Sequence, residues 1–314
     1  MDLRQIRYFV SVADLRSIAK ASAHLSVAGP AISRSISALE VELGCALFDR
    51  DGRGMQLTSA GNLLYAGASR ILREVELVRQ EVMAEGAHVA GEVIIGATPS
   101  VIAMAGAALL RECREHLPRV KPRLIEGYSA YLQNWTLTSD VDLALVNGLQ
   151  PDNARLASDC IAVERLFAIG PTGRFSPGDT IALPTLLGDP LILPSSLNPV
   201  RDLIDAAATA VGLKVAIVHE TDSVSLLKDL VGEGLSLAVL PFGAVKREIE
   251  MGTLTACPIV EPEVRSELNL IYLVDRPPTR VAKEVIDLIV GTLRQTMATA
   301  PLHGFVEVRG RRGR

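Results

Sequence analysis

Apolar positions recur at helical spacing three times before residue 45. Ile6, Phe9, Val10 and Ala13 share one face of a segment from about Leu3 to Asp14. Ile18, Ala21 and Leu25 follow Ser17, whose hydroxyl suits an N-cap. A third helix must begin near Ala28, because Pro30 is tolerated only in a first turn. There Ile32, Ile36, Leu39 and Leu43 form a stripe to be buried. Pro30, Ser33, Arg34, Ser37 and Val41 occupy the opposite face. The short turn Ser26–Ala28 separates the second and third helices, which is the pattern of a helix-turn-helix. On spacing alone, a plain three-helix bundle with a solvated face stays open.

The next segments predict a hairpin and a long helix. Ala46–Phe48 and Met55–Thr58 read as strands around a turn at Asp49–Gly54. This wing carries Arg50 and Arg53 near its tip, placed for phosphates or a narrow minor groove. A solvated loop is the alternative. Thr58 or Ser59 caps the helix that follows. In it Leu64, Ala68, Ile71, Val75, Val78 and Val82 repeat as a heptad seam. Arg70, Arg73, Glu74, Glu76, Arg79, Gln80 and Glu81 keep its other positions polar, which favours a dimer seam over packing on its own chain. Gly86–Gly91 breaks the heptad and reads as a hinge.

Beyond it, strand and helix patterns alternate. Strands are expected at Glu92–Ala97, Val120–Glu126, Asp142–Val146, Arg165–Ile169, Leu191–Leu193, Lys214–Val218, Leu235–Leu240 and Leu268–Val274. Helices are expected at Val101–His116, Ser129–Leu137, Val200–Val211, Ser223–Gly232, Phe242–Met251 and Thr279–Met297. Such alternation means a mostly parallel sheet. Ligands of such sheets bind beyond the carboxyl ends of the strands, where helix N-termini offer free N–H groups. Four ends carry suitable groups: Thr98 and Ser100, Ser129, Ser195 and Ser196, and Asp222 with Ser223. Asn147 is a fifth, weaker one. Ser100 and Ser129 also suit the role of helix cap, which is all an α/β protein requires of them. The set suits a small anion or organic acid, but Arg201 is the nearest arginine, which leaves the ligand's charge open.

Bulk properties narrow the reading. A chain of 314 residues suggests two or three domains. Its net charge of −4 gives no global basic field, so any DNA-binding region must be local. Cys45, Cys113, Cys160 and Cys257 are scattered without a CxxC pair, against structural zinc and against a disulfide framework. Reduced thiols, no signal peptide and no membrane-length apolar run lead us to expect a cytoplasmic protein. His24, His88, His116, His219 and His303 are dispersed, and no GxSxG, P-loop or strand-borne GxGxxG occurs. No enzyme activity, metal or cofactor is expected. Residues 301–314, ending RGRRGR, read as a disordered basic tail.

The stretches LRQIRYFVSVAD, SIAKASAHL, PAISRSISALEVELGCALFDR and GRGMQLTSAG resemble the N-terminal domain of LysR-type transcriptional regulators, in order and without gaps. The resemblance implies a multidomain protein. A winged helix-turn-helix spans 1–58, a linker and dimerisation helix with its hinge spans 59–89, and an α/β effector domain spans 90–300. That last domain would comprise two Rossmann-like subdomains, like a periplasmic solute-binding protein. They would span about 90–162 with 268–300, and about 163–267. DNA contacts would fall on Pro30, Ser33, Arg34, Ser37, Arg50, Arg53 and Thr58. Thr98, Ser100, Ser129, Asn147, Ser195, Ser196, Asp222 and Ser223 would approach an effector cleft. Promoter DNA, a small effector, further copies of the chain as dimer or tetramer, and RNA polymerase are the implied partners. The family usually has Ser-Gln ahead of the proline; here Ala28-Gly29 removes a cap of about 1 kcal/mol and a base contact. The second half is similar to the branch that holds the nitrogen assimilation control proteins. An effector-independent regulator, or a small-molecule binder with weakened DNA binding, are the alternatives.

Overall fold

The computed structural model describes residues 1–51, 54–84, 89–148, 153–196, 198–299 and 305–308. The chain divides into two compact units, Met1–Glu85 and Gly86–Arg314.

The first unit runs α1 (Leu3–Leu15), α2 (Ile18–Leu25), α3 (Gly29–Leu43), β1 (Phe48–Asp51), β2 (Gly54–Leu57) and α4 (Ser59–Ala84). Local chemistry sets these boundaries. Asp2 and Gln5 form a capping box on α1, with reciprocal bonds of 2.8 and 2.9 Å. Ser17 caps α2 through the Lys20 N–H at 3.3 Å. Left-handed Arg16 and Ser26, at φ 49° and 54°, end α1 and α2. Ala28 occupies the N-cap of α3 and gives it no side-chain bond. Phe9, Ile32, Ile36 and Leu39 close the core, where the Phe9 and Phe48 rings lie 5.3 Å apart. The Leu47 N–H donates to Glu40 Oε1 at 2.8 Å, which ties α3 to the hairpin.

Three expectations need correction here. Leu43 is 42 % exposed, because Gly44 terminates α3 in the left-handed conformation just past the core. The wing's strands extend further toward its tip than expected, pairing Asp51 with Gly54, because the Met55 N–H anchors β2 on the Arg16 carbonyl at 3.2 Å. The heptad seam splits in two. Leu64 and Ala68 pack into this unit's own core, while Ile71, Val75, Val78 and Val82 are 42, 37, 52 and 68 % exposed.

The second unit begins with β3 (Gly91–Ala97). Next, α5 (Pro99–Val101), a π-helical turn (Ile102–Gly106) and α6 (Ala107–His116) follow one another without a break. Then come β4 (Val120–Glu126), α7 (Ser129–Leu137), β5 (Leu143–Asn147), β6 (Leu156–Pro171), β7 (Ile181–Ala182), α8 (Leu183–Leu186) and β8 (Leu191–Leu193). The chain continues through α9 (Pro199–Ala210), β9 (Ile217–Glu220), α10 (Val224–Gly232), β10 (Leu237–Pro241) and a 3-10 turn (Phe242–Ala244). It ends with α11 (Lys246–Glu250), β11 (Leu254–Val260), β12 (Arg265–Leu273), α12 (Arg280–Thr299) and β13 (Phe305–Val308).

Two sheet halves meet on β6. In the first, β4, β3 and β5 are parallel, and β12 joins β5 and β6 antiparallel. In the second, β9, β8 and β10 are parallel, with β6 and β11 antiparallel. Each half has its own apolar layers: Ile95, Leu145 and Ile286 belong to one, Leu166, Leu193 and Ile204 to the other. The sheet is therefore mixed rather than mostly parallel. Arg165–Ile169 is only the middle of the 16-residue β6, whose earlier part carries polar Ser158 and Asp159 that hid it. Strands β7 and β11 escaped the pattern as well. The expected helix Phe242–Met251 is broken at Val245. The tail is not wholly disordered: Phe305–Val308, an apolar-rich stretch, pairs with Ala162–Glu164 of β6. Arg309–Arg314 lies outside the described residues.

Candidate DNA-reading surface and effector cleft

In the first unit, Ile32, Ile36 and Leu39 fix α3 against the core and so set what it presents outward. Pro30, Arg34 and Ser37 are exposed, Ser33 is half-buried, and Val41 is 82 % exposed. Among the described residues no carboxylate pairs with Arg34. Its guanidinium is thus available to a base edge or a phosphate. Thr58 leaves this set: its hydroxyl donates to the Ala46 carbonyl at 2.8 Å and accepts from the Gly61 N–H at 2.9 Å, capping α4. Arg50 contributes backbone to β1, while its side chain and all of Arg53 lie outside the described residues.

In the second unit, the ends of β3 and β5 and the starts of α5 and α7 bring four of the expected residues together. The Thr98 hydroxyl donates to Asn147 Oδ1, and Ser100 does so at 3.2 Å. The Thr98 and Ser100 oxygens are themselves 3.2 Å apart. Ser129 donates to the Asn147 carbonyl at 3.1 Å and accepts its N–H at 3.2 Å. Neither Ser100 nor Ser129 is a helix cap, contrary to expectation. Thr98 and Tyr128 hold the N-cap positions without side-chain bonds, because Pro99 sets the start of α5. Both serines lie in first turns, and their hydroxyls turn to Asn147 instead.

Asn147 passes the network on, donating from Nδ2 to Glu164 Oε1. Glu164 is 3 % exposed, and burial pushes its carboxyl up to about 8 against the opposing effect of the Asn147 amide. It therefore stays mainly protonated at neutral pH. Ser266, 1 % exposed, lies across from Glu164 on β12. Sequence reasoning missed Glu164. A single acid in the run AVERLFAIG looks like a solvent-facing strand position. Only the burial of β6 on both faces makes it significant.

The other expected residues form a second group on the second sheet half. The Ser195 N–H donates to Asp222 Oδ1 at 3.0 Å. Ser223 caps α10 through the Leu226 N–H at 3.2 Å, and Asn198 caps α9 through the Val200 N–H at 3.0 Å. Ser196 is exposed. Arg201 is committed elsewhere: it bonds Asp205 at 2.7 Å, Glu220 at 3.1 Å and the Pro194 carbonyl at 3.4 Å.

Contacts between the two sheet halves join the groups. Burial raises the Tyr128 phenol; the Val224 N–H at the start of α10 opposes this, and the charges of Asp222 and Glu126 add to it. Tyr128, also missed, thus spans from α7 to α10. Two glycines permit the close approach. A Cβ on Gly148, itself at φ +104°, would sit 2.3 Å from Pro199 Cβ, and one on Gly243 would sit 2.8 Å from the Ser100 carbonyl. Among the described residues, no cluster of three His, Cys, Asp or Glu side chains is placed to hold a metal, and no helix is long and apolar enough to cross a membrane.

Comparison with known proteins agrees with this architecture. The LysR substrate binding domain model matches residues 86–294, and the lysR-family bacterial regulatory helix-turn-helix model matches residues 3–62. The nitrogen assimilation regulatory protein nac of Klebsiella aerogenes is 32% identical over 247 residues, 78% of this chain and 80% of its own. The transcriptional regulator BbuR of Bordetella bronchiseptica is 28% identical over 297 residues, 94% of this chain and 90% of its own. In fold, the chain is similar to CbnR complexed with its target DNA, at TM-score 0.70, 22% identity and coverage of 94% and 100%. It is also similar to a full-length OxyR variant from Pseudomonas aeruginosa, at TM-score 0.71, 19% identity and coverage of 99% and 99%. These relatives are regulators, not enzymes. A lysR-type helix-turn-helix unit followed by a substrate-binding unit makes this chain a member of the LysR family, a DNA-binding transcription regulator with an effector-binding domain.

Proposed function

We propose that this regulator reads promoter DNA with α3 and couples that binding to a small effector held in the cleft of the second unit. The observation that carries the reading is the division of α3 into a buried face and an outward face on which Arg34 is exposed and, among the described residues, pairs with no carboxylate. Pro30, Ser33, Arg34 and Ser37 enter the major groove, while Arg50 and Arg53 meet the backbone or the minor groove. One such helix covers few base pairs. The apolar stripe Ile71, Val75, Val78 and Val82 pairs two copies, and the pairs assemble further into tetramers. Effector binding at Thr98, Ser100, Ser129 and Asn147, closed over by Ser195, Ser196, Asp222 and Ser223, changes the angle between paired DNA-binding units. The resulting change in DNA bending alters contact with RNA polymerase.

The test is selection of binding sites from a random duplex library, then titration of the best site with wild type and Arg34→Ala. The variant should lose about 5- to 150-fold in specific affinity, from the ~1–3 kcal/mol of one good base contact. Equal affinity and equal site preference would sink the assignment. The uncapped start of α3 supports a second reading, a small-molecule binder with weakened DNA binding. In that case the wild type selects no site at all.

A further inference from the structure

Directly behind Asn147, which Thr98 and Ser100 both bond, lies a buried acid, Glu164, where a site for anions would contain a base. We infer that the effector carries an ammonium group, seated against Glu164 and the oxygens of Thr98 and Ser100. This rests on the reading of residues 98–147 as the effector cleft, and it names the ligand class that cleft selects.

Three observations support it. First, the hydrogen bonds run in one direction. Thr98 and Ser100 both donate to Asn147 Oδ1, and Asn147 donates to Glu164. With their hydrogens committed inward, the hydroxyls offer lone pairs to a ligand, and lone pairs select a donor. Second, among the described residues the cations on the strands and helices around these groups are already paired. Arg201 is spent on Asp205, Glu220 and the Pro194 carbonyl. Arg165 and Arg265, neighbours of Glu164 along β6 and across β12, both close on Glu263. Lys228 of α10 closes on Glu248 at 2.6 Å. Glu267 alternates to the other face of β12 from Ser266. Third, carboxylates lie close by: the charges of Asp222 and Glu126 both act on Tyr128.

Glu164 and its surroundings then make binding proton-linked. A buried carboxyl with no charged partner keeps its proton; an ammonium beside it forms a hydrogen-bonded ion pair, and the proton leaves to solvent. An amine effector therefore binds more tightly as pH rises from 6 toward 8, by about tenfold per unit for one released proton. An anionic effector shows no such gain, and weakens once Glu164 ionises.

The experiment titrates the full-length protein calorimetrically, at pH 6, 7 and 8. The probes are small primary amines and amino-acid amides, their N-acetyl counterparts, and small carboxylates. The expected result is an amine whose dissociation constant falls about tenfold from pH 6 to pH 7, and whose acetylated form does not bind. Glu164→Gln retains an acceptor for Asn147 and should abolish the pH slope. The slope in the wild type is decisive even if that variant folds poorly. A carboxylate that binds with no gain toward pH 8, and is lost in Ser129→Ala, overturns the ammonium assignment and leaves the cleft reading standing. Failure of all three classes to bind the wild type overturns both.

Discussion

Gly243→Ala places a wedge at the point where the two sheet halves meet. The added Cβ would lie 2.8 Å from the Ser100 carbonyl oxygen, 3.1 Å from Met104 Cβ and 3.3 Å from Met104 Sδ. The first of these is backbone and cannot rotate away. Gly243 lies in the 3-10 turn Phe242–Ala244 and is absent from the positive-φ glycines, so the cost falls on the contact rather than on local conformation. Overpacking of this kind costs about 1–3 kcal/mol. If the cleft must close on its effector, that cost appears as a loss of about 5- to 150-fold in affinity. Hydrogen exchange at the starts of α5 and α10 should accelerate as the halves separate. Gly291→Ala is the control: the added Cβ would meet nothing within 4 Å beyond its own helix backbone, and the residue sits inside α12, where alanine should stabilise by about 0.5–1 kcal/mol. Urea unfolding and exchange of both variants decide the matter. A Gly243→Ala protein as stable as wild type, with unchanged exchange, would refute the idea that this glycine is a closure point.

Other consequences follow from the same geometry. Glu164 titrates near 8 in the fold and near 4.3 when unfolded, so the folded state binds the extra proton between these values. Its contribution to stability is full below about pH 4 and is lost as pH rises through 8, so urea unfolding from pH 5 to 8 should show wild type declining against Glu164→Gln by roughly 1 kcal/mol per unit. Val78→Glu puts a charge on the exposed stripe of α4 and should shift sedimentation toward monomers, with an unchanged melting temperature at low concentration. Ala28→Ser supplies the missing cap of α3 and should raise stability by about 0.5–2 kcal/mol in urea unfolding.

What the sequence made legible was local. Pro30 dated the start of α3, Ser17 marked a cap, and alternating apolar runs separated strands from helices. What stayed hidden depends on contacts distant along the chain. Leu64 and Ala68 read as seam positions until α1 and α3 were packed against them. Ser100 and Ser129 read as caps because nothing in the sequence says that Asn147 lies 3.2 Å from each. Glu164 passed unnoticed because its environment is made by β5, β12 and β13, which lie far from it in sequence. Arg201 looked available, yet it is taken by one carboxylate a helical turn away and another on β9.

The long strand β6 also bears on how regulators of this kind are recombined. Residues 156–165 of β6 are bonded to β12, and residues 166–171 to β10 and β11, so the two halves share one unbroken backbone ladder. No linker exists there at which to cut. A chimaera that exchanges one half for a relative's can cut the return connection at residues 261–264, but it must also sever β6 and re-register its pairing with β10, β11 and β12. Whole-unit grafting after Glu85 avoids that problem. Biosensor construction should therefore transplant the second unit intact and redesign its ligand choice from within.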